Sequence, residues 1–123
     1  MQSSGHVALI TGGATGIGLA LARTFLHHGN QVILVGRRES ALQAAAALLP
    51  AAVICVADVS VPEDRERLAA QFPHVTVLVN NAGTQVYKTI EASTPQEIEN
   101  EIAVNFAAPI LLARRLTTDS TTR

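Results

Sequence analysis

Val7-Ala8-Leu9-Ile10-Thr11-Gly12-Gly13-Ala14-Thr15-Gly16-Ile17-Gly18 is the stretch that decides how this chain folds. An apolar run suited to a buried parallel strand breaks into a glycine-rich turn. The turn feeds Leu19-Ala20-Leu21-Ala22-Arg23-Thr24-Phe25-Leu26, which reads as a helix. Strand, glycine turn and helix aim free backbone N–H groups and the positive end of a helix dipole at a phosphate. Glycine tolerates positive φ in such a turn, and its missing side chain lets a pyrophosphate come close to the backbone. The spacing Gly12-x-x-x-Gly16-x-Gly18 is not the G-x-G-x-x-G fingerprint. Glycine turns also arise from packing alone, but a strand before the turn and a helix after it favour nucleotide phosphate.

Outward from that stretch, the first helix is expected over 16–28. Ile17, Leu21 and Phe25 recur every four residues and predict one apolar face against a sheet. Gly29-Asn30 ends it. Residues 31–36 read as a second strand, whose unbroken Val32-Ile33-Leu34-Val35 suits burial on both faces. Arg37-Arg38-Glu39-Ser40 opens a second helix over 41–49, stopped by Pro50. A third strand follows over 52–57, with Asp58 at its end. Ser60-x-x-Glu63 resembles a capping box, with Pro62 in the first turn of a third helix reaching about residue 72. The fourth strand covers 75–80. After an irregular segment, Thr94-Pro95-x-Glu97 predicts a capped helix over 94–116, bent or broken at Pro109. Residues 117–123 are polar and threonine-rich, and are expected to be disordered.

The alternation βαβαβαβα predicts an α/β fold, a doubly wound parallel sheet with helices on both faces. Right-handed crossovers and a reversal after strand three give the strand order 3-2-1-4.

The 123 residues allow one domain at most, with a real core. A formal charge of −1, three Phe, one Tyr and no Trp argue against a nucleic-acid or membrane surface as partner. The single cysteine, Cys55, sits in an apolar run and is read as a small buried hydrophobe, so no disulfide framework is expected. His6, His27, His28 and His74 lack partners at metal-ligand spacing, so no metal site is expected. There is no apolar run of about 18 residues and no signal-peptide layout, so a cytoplasmic location is the expectation.

A second signal lies at the end of strand two, where dinucleotide folds read the adenosine ribose. No carboxylate stands there to bond a ribose 2′-OH. Arg37 and Arg38 follow Gly36 instead, ready to pair with a 2′-phosphate. That favours NADP over NAD. Arg38 could equally face solvent, and Glu39 could neutralise one arginine.

Thr11-Gly12-x-x-x-Gly16-x-Gly18, Asp58, Asn80-Asn81-Ala82-Gly83 and Asn105, in this order and spacing, resemble the classical short-chain dehydrogenase/reductase family. The resemblance covers about residues 5–116, and the run is also similar to bacterial DltE-type short-chain oxidoreductases. It implies a Rossmann-like fold, truncated here relative to the family's seven strands. Residues 1–116 would be an incomplete NAD(P)-binding domain, with 117–123 as a tail.

The roles that follow are those the resemblance implies. Gly12, Thr15, Gly16, Ile17 and Gly18 would line the pyrophosphate and ribose. Arg37, with Arg38, would hold the 2′-phosphate. Asp58 and Val59 would contact the adenine, and Asn81, Ala82 and Gly83 would run along the cofactor. Asn105 matches the family's helix asparagine, which supports a water-linked proton relay. The 94–116 helix would serve a homo-oligomer interface. Plainer roles stand beside these: Asp58 could only cap a turn, Asn80 could brace strands, and Asn105 could bond a nearby carbonyl.

The family's chemistry also needs a serine, and a tyrosine with a lysine four residues later on one helix face. By family spacing these fall past or close to the end of the chain. Tyr87 and Lys88 are neighbours and do not replace them. The expectation is the cofactor-binding half of an NADP(H)-dependent oxidoreductase acting between a carbonyl and an alcohol. The alternatives are a non-catalytic dinucleotide-binding or interaction module, or a truncated remnant.

Overall fold

A computed structural model of the chain describes residues 4–14, 16–81, 94–96, 99, 111–113, 115 and 116. Within them the order is β1 (Val7–Thr11), α1 (Gly16–His27), β2 (Gln31–Gly36), α2 (Glu39–Leu48), β3 (Val53–Val56), α3 (Pro62–Gln71) and β4 (Val77–Asn80). All pairings are parallel, and the strand order is β3-β2-β1-β4, as the alternation predicts. Leu9 on the central strand lies level with Ile33 on one side and Leu78 on the other.

Successive strand residues point to opposite faces, so one unbroken apolar run supplies two cores. On one face Ile10, Val32 and Leu34 pack with Ala22 of α1 and with Leu42 and Ala45 of α2. On the other, Leu9, Ile33, Val35 and Cys55 pack with Leu68 of α3 and with Leu112. Helical residues 111–113, 115 and 116 therefore sit on the same face as α3. Arg115 Nε also reaches Glu66 Oε2 of α3 at 2.8 Å. Helices on both faces make the sheet doubly wound. Each fully buried Leu or Ile contributes roughly 1.5–3 kcal/mol.

The structure corrects the expected face of α1. Ile17 is 72% exposed, and the fully buried positions are Gly18 and Ala22. Small residues let the helix approach the turn and strands, which rotates the packed face one position on from Ile17. Leu21 and Phe25 remain partly buried against the core. The C-terminus of α1 follows expectation. Gly29 has φ +81°, its N–H bonds Leu26 O at 3.1 Å, and Asn30 N–H bonds Phe25 O at 3.1 Å. This is the paired closure of a glycine-ended helix.

The Ser60–Glu63 capping box is not formed. Val61 is the N-cap of α3, without a side-chain hydrogen bond, and the Ser60 hydroxyl donates to Asp58. The sheet register sets the ends of the strands. β4 begins at Val77, and just before it the Thr76 N–H donates to the Val7 carbonyl at 2.9 Å while the Thr76 hydroxyl accepts the Val7 N–H at 2.9 Å. Pro95 and Gln96 are helical directly after Thr94, where the second box places a helix start. Its continuity through Asn105 and Pro109, and the tail 117–123, lie outside the described residues.

Candidate functional site

The strands' carboxyl ends lie along one edge of the sheet, and the order reverses between β1 and β4. In open α/β sheets that reversal is where ligands bind. The glycine turn stands there. Gly12 and Gly16 have φ of +64° and +59°, which side chains rarely adopt. Gly12 N–H donates to Val35 O at 2.9 Å, carrying the β1–β2 ladder one residue into the turn.

Gly18 is required by proximity rather than by conformation. A Cβ there would lie 2.8 Å from Asn81 Nδ2 and 2.9 Å from Gly13 Cα, and closer still to Gly12 O. The start of α1 thus rests directly on the turn backbone. A Cβ at Gly16 would meet nothing within 4 Å among the described residues, so on their side the turn is open. Ile17 stands on the same exposed edge. Gly13 has a role the sequence pattern missed: a Cβ would sit 2.6 Å from Leu34 Cδ2 and 3.1 Å from Ile10 O. Thr15 lies outside the described residues.

Asn81 ties the turn to the end of β4. Its N–H donates to Thr11 Oγ1 at 3.0 Å, and its Nδ2 donates to the Gly12 carbonyl at 3.2 Å. Thr11 is buried, and its hydroxyl donates to Val79 O at 3.4 Å. The bracing that the sequence suggested for Asn80 therefore belongs to Asn81. Asn80 is exposed and its side chain makes no hydrogen bond among the described residues. Ala82 and Gly83 lie outside them.

Arg37 and Arg38 follow the carboxyl end of β2, and both are exposed. Neither makes an ion pair among the described residues. Glu39 forms no ion pair with either among the described residues, and its Oε1 accepts from Gln43 Nε2 at 3.2 Å. Arg38 is the N-cap of α2, with no side-chain cap on the helix start.

At the end of β3, Asp58 Oδ1 accepts from Ser60 N at 3.0 Å and from Ser60 Oγ at 2.6 Å. The plainer turn-capping role is thus real. It occupies one oxygen and leaves Oδ2 without a partner among the described residues. The Val59 side chain packs in the core beside Leu68, so only its backbone faces the site edge. Its carbonyl accepts from Arg65 Nη1 at 2.8 Å, and its N–H has no partner among the described residues.

Other candidate groups lie elsewhere. Cys55 is buried and receives a hydrogen bond from Arg67 Nη1 at 3.6 Å. His6 Nδ1 lies 3.2 Å from Thr76 Oγ1, at the opposite, amino end of the strands. Among the described residues no cluster of three or more His, Cys, Asp or Glu could hold a metal ion. Nor is any helix long and apolar enough to cross a membrane. Asn105, Tyr87 and Lys88 lie outside the described residues.

A doubly wound parallel sheet with a glycine turn at its switch point defines a class of α/β proteins, and comparison with known proteins narrows it. The sequence profile of the short chain dehydrogenase family matches residues 6–121. The chain belongs to that family. It is similar to the oxidoreductase DltE of Bacillus subtilis, at 38% identity over 95% of this chain and 49% of the relative. It is 33% identical to the NADP-dependent (R)-specific alcohol dehydrogenase of Lentilactobacillus kefiri, over 82% of this chain and 43% of that one. Among solved structures, the 3-ketoacyl-(acyl-carrier-protein) reductase of Brucella melitensis, complexed with NADH, superposes with a TM-score of 0.82. That match has 30% identity and covers 93% of this chain and 50% of the other. The chain spans about half the length of these relatives.

Proposed function

We propose that this chain carries the cofactor-binding half of an NADP(H)-dependent oxidoreductase of the short-chain type. The observation that carries this reading is the pair Arg37 and Arg38 beside the glycine turn, exposed and without an ion pair among the described residues, with no carboxylate at the β2 tip. Guanidinium groups pair with a phosphate dianion through charge-assisted hydrogen bonds, and a carboxylate at that point would repel it.

The remaining residues fit the same ligand. The Gly12–Gly18 turn offers bare backbone and an open side to a pyrophosphate. Asp58 Oδ2 and the Val59 N–H are the acceptor and donor that an adenine edge requires. Asn81, Ala82 and Gly83 would border the cofactor beyond β4, and Thr15 and Ile17 would border its phosphates and ribose. Asn105 would support proton relay through water. When bound, the cofactor would supply hydride transfer, from NADPH to a carbonyl or from an alcohol to NADP+.

Fluorescence titration with NADPH and NADH tests this. The expected result is saturable binding of both, tighter for NADPH. Tighter binding of NADH would overturn the role of Arg37 and Arg38. No binding of either at millimolar concentration would remove the site altogether.

A further inference from the structure

The turn after β3 is held from α3 as well as by its own Asp58–Ser60 and Asp58–Val61 bonds. Asp64 Oδ2 accepts the Asp58 N–H at 2.7 Å, and Arg65 Nη1 donates to the Val59 carbonyl at 2.8 Å. Two adjacent helix residues thus grip the two ends of the Asp58–Val59 dipeptide. The Asp58 carbonyl is taken by Val61 N–H at 3.0 Å. The second oxygen of Asp64 lies 3.4 Å from Arg67 Nη2, which itself donates to the Val56 carbonyl at 2.8 Å. Three α3 side chains therefore fasten the backbone at residues 56, 58 and 59.

This fastening selects which polar groups stay open. With Asp58 N–H, Asp58 C=O and Val59 C=O occupied, the open pair is Asp58 Oδ2 and Val59 N–H. Turning either flanking peptide would break a charge-assisted hydrogen bond, the stronger kind, and the Asp58–Val59 peptide between them is held at its carbonyl by the Val61 N–H. We propose that Asp64 and Arg65 are positioning residues for the adenine end of the cofactor site, holding the two peptides that flank the Asp58–Val59 peptide whose N–H the base meets. The proposal rests on the cofactor site proposed above.

The test is calorimetric titration of the chain, and of its Asp64→Ala, Asp64→Asn and Arg65→Leu variants, with three probes. These are NADPH, adenosine 2′,5′-bisphosphate and reduced nicotinamide mononucleotide. Asp64→Ala is expected to weaken NADPH and the adenosine bisphosphate about tenfold, the scale of one charged hydrogen bond. The mononucleotide, which has no adenine, should bind unchanged. Asp64→Asn keeps an acceptor oxygen and should recover most of the loss, and Arg65→Leu should shift the same two probes. Glu66→Ala, on the same helix but bonded to Arg115, should leave all three affinities alone.

Equal loss for all three probes would mean a purely structural role and overturn the proposal. So would unchanged affinity in a parent chain that binds. If Asp64→Ala does not fold by circular dichroism, Asp64→Asn and Arg65→Leu decide by the same ratio of adenine-bearing to adenine-free probes. A parent chain that binds none of the probes overturns the cofactor site and this proposal with it.

Discussion

Asn81 donates its side-chain amide to the carbonyl of Gly12 at 3.2 Å, across 69 positions of sequence. The same residue's backbone N–H donates to the Thr11 hydroxyl oxygen. One residue after β4 thus anchors the last residue of β1 and the first residue of the glycine turn.

Asn81→Ala removes the bond to Gly12 and is expected to cost about 1 kcal/mol in urea denaturation. It should also weaken NADPH, since the turn loses its lateral support. Asn80→Ala, at an exposed position, should stay within about 0.5 kcal/mol of the parent. Equal effects at both positions would assign the bracing wrongly.

Gly18→Ala places a methyl against the Gly12 carbonyl, Asn81 Nδ2 and Gly13 Cα, of which Gly12 and Gly13 are backbone that cannot swing aside. Overpacking of this kind costs roughly 1–3 kcal/mol. NADPH affinity should fall more than tenfold, because the turn must move to relieve the clash. Gly16→Ala meets open space, so its penalty is the left-handed backbone alone, about 1–2 kcal/mol. Thermal melts and titrations on the two variants separate crowding from conformational strain. A Gly18→Ala chain that binds NADPH like the parent would contradict the close approach.

Arg37→Ala and Arg38→Ala, made singly and together, should weaken NADPH by about tenfold per lost charged hydrogen bond while leaving NADH unchanged. The parent's preference for NADPH should also shrink with added salt, because both guanidiniums are exposed. A loss shared equally by NADH would show that the arginines serve the fold and not the 2′-phosphate.

The sheet order was legible because four unbroken apolar runs, spaced by helix-length segments, admit few other arrangements. The glycine turn was legible because its residues are chemically extreme. Ile17 misled because a four-residue period counts apolar side chains, whereas the packed face is set by small ones, Gly18 and Ala22. Asn80 and Asn81 are indistinguishable in sequence; only the register of β4 against Thr11 decides which one reaches the turn. The Ser60–Glu63 pattern is a sound local signal, but Asp58 competes for the Ser60 hydroxyl and Asp64 reaches out to the Asp58 amide. Asp64 and Arg65 left no sequence signal, since charged residues in a helix's first turns are ordinary.

The Asn81–Gly12 bond also has a kinetic consequence. The glycine turn is complete only when the carboxyl ends of β1 and β4 have found each other, a non-local closure expected to be late and slow. The candidate cofactor site is then expected to be among the last parts of the sheet to assemble. A dinucleotide that binds it would favour chains whose sheet has already closed, and would add its binding energy to the stability of the whole sheet.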